Sequence, residues 1–317
     1  MQRTALTLSL LTALATAQDQ DKDLWIQDFA AAKARAKAEK KDLLVDFTGS
    51  DWCGWCIKLD NEVFSKEAFR AEAPKHFVLV KLDYPRDKSI LTEEIIKQNE
   101  ALQATYAIQG FPTILLMTDE GRVYGQTGYQ EGGPEPYNTL LADMKKKGAG
   151  FRAGLSVAMA KSGVERAVAI DDCLKELDPQ VVDAYHFELM KEIVALDADG
   201  AAGLKAKYEE KVRQLEERRL TDAAGRELNE LISDDMQNNR GKEALAKLDA
   251  VIAAPKSSIH KQMALFFKGM VTMDVSRDVD AAVALLEDAK KIAPESPVAG
   301  QIERILPQIK AQGGGGK

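Results

Sequence analysis

At 317 residues, with 45% hydrophobic and 29% charged side chains, the chain is long enough for two domains with their own cores and needs no cysteine staples. A formal net charge of −7 excludes a protein organised to neutralise nucleic-acid phosphates, which requires a basic face. With only three cysteines, a disulfide-dense secreted scaffold is excluded too, leaving one close pair, Cys53 and Cys56, and Cys173 on its own.

The chain opens with Arg3, the apolar run ALTLSLLTALATA, and the small residues Ala15, Thr16 and Ala17. That is the pattern of a signal peptide, so residues 1–17 are expected to be removed and the mature chain to begin near Gln18. The run is short for a permanent span, which takes about 20 apolar residues, and nothing later in the sequence approaches that length. The sequence therefore reads as exported and soluble, periplasmic or secreted, with no integral membrane segment; an uncleaved anchor is the alternative. Disulfides persist in such compartments.

LWIQDFAAAKARAKAEK (24–40) predicts a helix with Trp25, Phe29, Ala32 and Ala36 on one face, and its lysine-rich half reads as a solvated surface. LLVDF (43–47) is a short apolar run suited to a strand. Next comes TGSDWCGWCIKLDNEVF, in which Cys56, Leu59 and Val63 fall at helical spacing. Cys53 is thus expected at a strand-to-helix junction, open to water, where free N–H groups and the helix dipole favour a thiolate. Cys56, one turn further in, would be the shielded resolving thiol. A structural zinc site would need two more ligands, usually a second pair; none exists and His76, His186 and His260 are scattered, so no metal is expected.

FVLVKLDY (77–84) predicts a strand, and LTEEIIKQNEALQATYAI (91–108) a helix with Ile95, Leu102 and Tyr106 on one side. TILLMT (113–118) and RVYGQTG (122–128) predict a hairpin turning at Asp119, Glu120 and Gly121. PEPYNTLLADMKKK (134–147) predicts a helix that opens on prolines and closes in lysines. The order αβαβαββα implies an α/β domain, a mixed central sheet between helices.

Residues 24–147 resemble the thioredoxin superfamily, in particular exported thioredoxin-like proteins related to the C-terminal domain of periplasmic electron transporters. The likeness is carried by VDFTGSDWCGWC, by GFPT (110–113), and by the closing hairpin and helix. It implies a thioredoxin fold whose only redox group is the Cys53–Cys56 disulfide, with no further cofactor. Pro112 resembles the family's cis-proline facing the sulfurs, and Phe111 beside it would offer backbone groups to an extended substrate. Asp46 resembles the buried acid beneath the site, able to take a proton from Cys56 through water, and Lys81 resembles its partner on the adjacent strand. Trp52 and Trp55 read either as an apolar rim for partner chains or as packing. The chain departs from the family in TGSD, one residue longer, which leaves the register of Asp46 open. Gly54-Trp55 is neither the Gly-Pro of common reductants nor the histidine-bearing pair of strong oxidants; the direction of electron flow stays open, leaning to reduction or isomerisation.

After Lys147, GAGFRAG (148–154) reads as a linker and residues 155–311 as an all-helical domain. GKEALAKLDAVIAAP and RDVDAAVALLEDAKKIAP align Ala244 with Ala282 and Leu248 with Leu286, 38 residues apart, which looks like a degenerate tetratricopeptide pattern. ELMKEIVALDADG reads as a more worn copy, and an irregular bundle is the alternative. Cys173 reads as a small buried hydrophobe, and QGGGGK (312–317) as a tail without means to order itself. Together these features describe a thiol–disulfide oxidoreductase with Cys53 as nucleophile. Its partners would be proteins carrying thiols or disulfides, a redox partner, and a protein docked on the helical domain. The competing class is a binding scaffold in which Cys53 and Cys56 form a static bridge.

Overall fold

The computed structural model of the protein describes residues 24–313; the leader at 1–17 and residues 314–317 of the tail lie outside the described residues. The chain divides into two compact units between Tyr208 and Glu209.

The first unit is built on a five-stranded sheet of order β1-β3-β2-β4-β5. Its strands are β1 (Trp25–Ile26), β2 (Asp42–Thr48), β3 (Phe77–Asp83), β4 (Thr113–Met117) and β5 (Val123–Thr127). β1, β3 and β2 are parallel, whereas β4 and β5 run antiparallel, so the sheet is mixed and flanked by helices as the α/β reading requires. β2 has strands on both sides and is buried at every position, which suits its apolar Leu43, Leu44, Val45 and Phe47 and leaves Asp42, Asp46 and Thr48 as buried polar residues.

α1 (Phe29–Glu39) starts where the Asp28 carboxylate accepts the Ala31 N–H at 2.9 Å, and it buries Phe29, Ala32 and Ala36. Trp25 does not share that stripe. The cap fixes the helix start at Phe29, so the chain before it is extended, and Trp25 pairs with Leu79 in the sheet while its ring stacks on Phe69. α2 (Gly54–Leu59) continues through a wider helical turn at Asp60–Phe64. α3 (Glu67–His76), with Pro74 in its last turn, is a helix that periodicity did not reveal. In α4 (Glu93–Thr105) the buried position is polar Asn99, while Ile95, Leu102 and Tyr106 are half-buried. Asn99 Nδ2 donates to the Asp83 carbonyl at 2.8 Å, which ties α4 to the end of β3.

The largest departure from the sequence reading is α5 (Pro134–Met159), which runs straight through residues 148–154. No linker exists there. A Cβ at Gly148 would lie 2.5 Å from the Tyr124 ring and one at Gly154 2.5 Å from Cys173 Cβ, while Phe151 between them is fully buried. These glycines serve close approach, not flexibility. Arg152 on the same stretch pairs with buried Asp42, which also accepts the Tyr124 hydroxyl at 2.9 Å.

Consequently α6 (Gly163–Leu174), α7 (Pro179–Tyr185) and α8 (Phe187–Leu196) belong to the first unit. Tyr185 donates to the Gln126 side chain at 2.8 Å, and His186 Nε2–H to the Val123 carbonyl at 2.7 Å. His186 thereby engages one backbone carbonyl of edge strand β5, and Tyr185 one of its side chains. Burial pushes the His186 pKa down to about 4, so it serves as a neutral donor at ordinary pH. Cys173 is buried with its thiol donating to the Ile170 carbonyl at 3.2 Å, and burial pushes its pKa up to about 11.

The second unit starts within α9 (Leu204–Gln237) and continues as α10 (Gly241–Ala253), α11 (Ser258–Ser276), α12 (Val279–Ile292) and α13 (Pro297–Gly313). Ala244, Leu248, Ala282 and Leu286 are all fully buried. The aligned positions thus sit on the first helices of two successive helix pairs, α10–α11 and α12–α13. The segment ELMKEIVALDADG lies mostly on α8, in the first unit. α13 extends to Gly313, two residues into the stretch read as tail.

A packed helix and a linker respond differently to side chains added at their glycines. Gly154→Ala is expected to destabilise the protein by about 1–3 kcal/mol through the clash with Cys173. Gly150→Ala meets only the mobile end of Glu176, at 3.2 Å, and is expected to be neutral or stabilising by up to about 1 kcal/mol. Urea unfolding of the two variants checks this; equal tolerance at both positions would restore the linker.

Candidate active site

β2 and β3 deliver the site. Their parallel register sets Asp46 opposite Lys81 and Thr48 opposite Asp83, so both strands end at the same edge of the sheet. The Tyr84 N–H donates to the Thr48 carbonyl at 2.8 Å, extending that pairing one step further.

The loop TGSD is then stitched to the segment after β3. Ser50 donates to Asp83 from its N–H at 2.9 Å and from its hydroxyl at 2.5 Å. The Asp51 carboxylate accepts the Arg86 and Asp87 N–H groups at 3.0 Å each, which holds its carboxyl below the usual carboxylate range. Trp52 Nε1–H donates to the Tyr84 carbonyl at 2.7 Å. The Trp52 ring lies over Gly49, where a Cβ would come within 2.5 Å of it. These contacts return the chain to the sheet edge, where Cys53 N–H donates to the Gly49 carbonyl at 2.9 Å.

Cys53 is the N-cap of α2, and its sulfur accepts the Cys56 N–H at 3.2 Å. The two cysteines form a disulfide with Cα atoms 5.2 Å apart. Cys53 is only 6% exposed and Cys56 4%, so the expected contrast between an open and a shielded sulfur is nearly absent in the disulfide state. Each sulfur is bonded to the other, and that of Cys53 is turned onto the helix N–H, which leaves little surface on either.

Aromatic rings surround the pair. Trp52, 39% exposed, meets Phe111 edge-on at 5.7 Å, and Phe111 lies 5.1 Å from Tyr84. The contact brings the loop bearing Pro112, whose peptide bond with Phe111 is cis, alongside the cysteine loop. Trp55, 58% exposed, makes a separate contact with Tyr129 at 5.2 Å. Lys58 Nζ lies 5.1 Å from the Trp55 ring centre and 4.6 Å from that of Tyr129, and the Tyr129 hydroxyl donates to Glu62 at 2.5 Å.

Beneath the site Asp46 is 5% exposed, and its Oδ1 has no hydrogen-bond partner among the described residues. Burial pushes its pKa up to about 7; the half-buried Lys81 opposite pulls it down, and Asp60 and Asp83 push it up. Of the residues that the sequence singled out, the fold joins Cys53 to Cys56, Asp46 to Lys81, and Trp52 to Phe111. Asp83, Tyr84, Tyr129, Lys58 and Glu62 went unnoticed. Asp83 and Tyr84 follow directly from the strand register, whereas Tyr129 carries only the cue of following a hairpin.

Residues 29–145 match the sequence profile of the thioredoxin-like domain. Two proteins of Chlamydia pneumoniae are similar to the chain: disulfide bond reductase DsbH, 33% identical over 111 residues, and thioredoxin-related protein DsbJ, 35% identical over 119. The alignments cover 35% and 37% of this chain, and span 66% of DsbH, just under two thirds, and 34% of DsbJ. A solved structure of a DsbH oxidoreductase aligns at 29% identity with a TM-score of 0.38, covering 45% of this chain and 95% of that one. Residues 29–145 of this chain are a thioredoxin-like domain, followed by a long all-helical region.

Proposed function

We propose that the protein is a thiol–disulfide oxidoreductase that exchanges its Cys53–Cys56 disulfide with the dithiols and disulfides of protein clients after export. The observation that carries this reading is a disulfide closed across the first turn of a helix, with an exposed tryptophan before each cysteine. The signal-peptide pattern of residues 1–17 supports the exported location.

From the oxidised form, a client thiolate attacks the Cys53 sulfur, the bond to Cys56 breaks, and Cys56 leaves as a thiolate. Asp46, which keeps its proton up to about pH 7, is the group we assign to protonate Cys56, through water. A second client thiolate then displaces Cys53, so the client gains a disulfide and the site gains two electrons and two protons. In the opposite direction the Cys53 thiolate attacks a client disulfide, Cys56 resolves the mixed disulfide, and Asp46 receives the proton. Lys81 moderates the charged form of Asp46. Reduction of client disulfides is the direction we favour, because no histidine lies between the cysteines and DsbH is called a reductase. A dithiol donor protein would then recharge the site. Docking of a protein partner is the role we assign to the second unit.

The low exposure of Cys53 favours one other reading, a static bridge in a binding scaffold. Equilibration with glutathione separates the two: a redox-active pair is expected to poise within the range of exchange proteins, and a value below about −300 mV would mark a structural bridge. Cys53→Ser is expected to abolish reduction of insulin; retention of that activity overturns the proposal.

The Asp46 pKa also has a consequence for stability. Below about pH 4 its carboxyl is protonated in both the folded and the unfolded chain. As pH rises from about 4 to about 7 the unfolded chain releases the proton while the folded one keeps it, so stability falls, and the loss is complete above the folded pKa. Asp46→Asn is therefore expected to match the native protein at pH 4 and to exceed it at pH 8 by on the order of 1–4 kcal/mol. Urea unfolding of the oxidised forms at the two pH values checks it, and a less stable variant at pH 8 would contradict the burial account.

A further inference from the structure

The side-chain polar atoms of Trp52, Tyr84 and Tyr129 are already engaged. Trp52 Nε1–H is held by the Tyr84 carbonyl, the Tyr84 hydroxyl by the Asn99 carbonyl at 2.7 Å, and the Tyr129 hydroxyl by Glu62. What Trp52 offers to solvent is therefore ring surface, and Trp55 is the more exposed of the two. The two aromatic pairs belong to one continuous border, because the Gly128–Tyr129 segment abuts the Phe111–Pro112 loop: a Cβ at Gly128 would lie 3.2 Å from the Pro112 carbonyl oxygen. On the Tyr129 side the border is braced, with Lys58 covering both rings and reaching toward Glu62 at 4.0 Å. Trp55, inside the motif, is thereby held by a residue 74 positions away in sequence (129 − 55).

We propose that Tyr129, braced by Lys58 and Glu62, is a specificity-determining residue that fixes Trp55 as one wall of the client groove, opposite Trp52 and Phe111. It thereby selects extended client segments with a bulky apolar side chain next to the reacting cysteine. Such a side chain buries against ring surface, whereas a polar one finds no free hydrogen-bonding partner on Trp52, Phe111 or Tyr129. The inference rests on the exchange activity proposed above and names the clients of that same site.

Two synthetic dithiol peptides, identical except for Phe or Gly beside the attacking cysteine, give the test. Each transfers two electrons and two protons to oxidised Cys53–Cys56 and becomes a disulfide, and the second-order rate constant is read from the appearance of enzyme thiols by mass spectrometry. The native protein is expected to react roughly 10-fold faster with the Phe peptide. Tyr129→Ala is expected to bring that ratio close to one, and Tyr129→Phe, which keeps the ring, to retain most of it. Glu62→Ala, which releases the Tyr129 hydroxyl, is expected to lower the ratio to an intermediate value and serves should Tyr129→Ala fail to fold. A ratio is insensitive to a uniform loss of activity, so a purely structural role for Tyr129 would leave it unchanged. Absence of any preference in the native protein, or an unaltered ratio in Tyr129→Ala, overturns the inference. Failure of the native protein to exchange with either peptide or with glutathione would instead refute the oxidoreductase reading beneath it.

Discussion

Seven successive residues of β2, from Asp42 opposite Phe77 to Thr48 opposite Asp83, are paired in parallel with β3. Because both strands point the same way, the chain leaves them at one edge of the sheet, and the loop after β2 must find its partners in the loop after β3. Ser50, Asp51 and Trp52 do so, on Asp83, Arg86, Asp87 and Tyr84. The same pairing sets Asp46 opposite Lys81, two residues inside the sheet from Thr48. A slip of β2 by one residue would turn Asp46 to the other face and release the cysteine loop. The disulfide, the rim and the buried carboxyl are therefore three results of one strand register.

Burial gives that carboxyl its character. A half-exposed aspartate beside a lysine would stay charged at neutral pH, whereas Asp46, 5% exposed, is poised near the pH at which proteins work. Desolvation outweighs the attraction of Lys81, in part because Asp60 and Asp83 add negative charge nearby. The oxidised molecule thus carries a carboxyl that titrates near neutrality, at a cost to its stability once charged.

Much of the thioredoxin-like domain was legible because its signals are local. The apolar run 43–47, the cysteine spacing, and the hairpin at Gly121, whose φ is 87°, each depend on neighbouring residues alone. The parts that escaped depend on tertiary contact. Glycine in GAGFRAG is ambiguous in sequence: it suits a loop, and equally a helix pressed against a ring or a cysteine, and only the positions of Tyr124 and Cys173 decide. Trp25 fits a helical stripe until the Asp28 cap is seen to start the helix after it. α4 buries Asn99 in place of its apolar neighbours because the end of β3 presents a carbonyl that needs a donor. At the site, cysteines and proline announce themselves, whereas Tyr129 acquires meaning only from the ring it touches.

The sequence match ends at residue 145, but the molecule does not recognise that border. Half of α5, with Phe151 and the Arg152 clasp, lies beyond it, as do Tyr185 and His186, which bond to Gln126 and Val123 of β5. A fragment cut where the family resemblance stops would carry an edge strand without those bonds and a bared apolar helix face, both invitations to self-association. The thioredoxin-like module here does not end where the sequence match does; α6 to α8 belong to the same compact unit, and its natural seam lies near Tyr208.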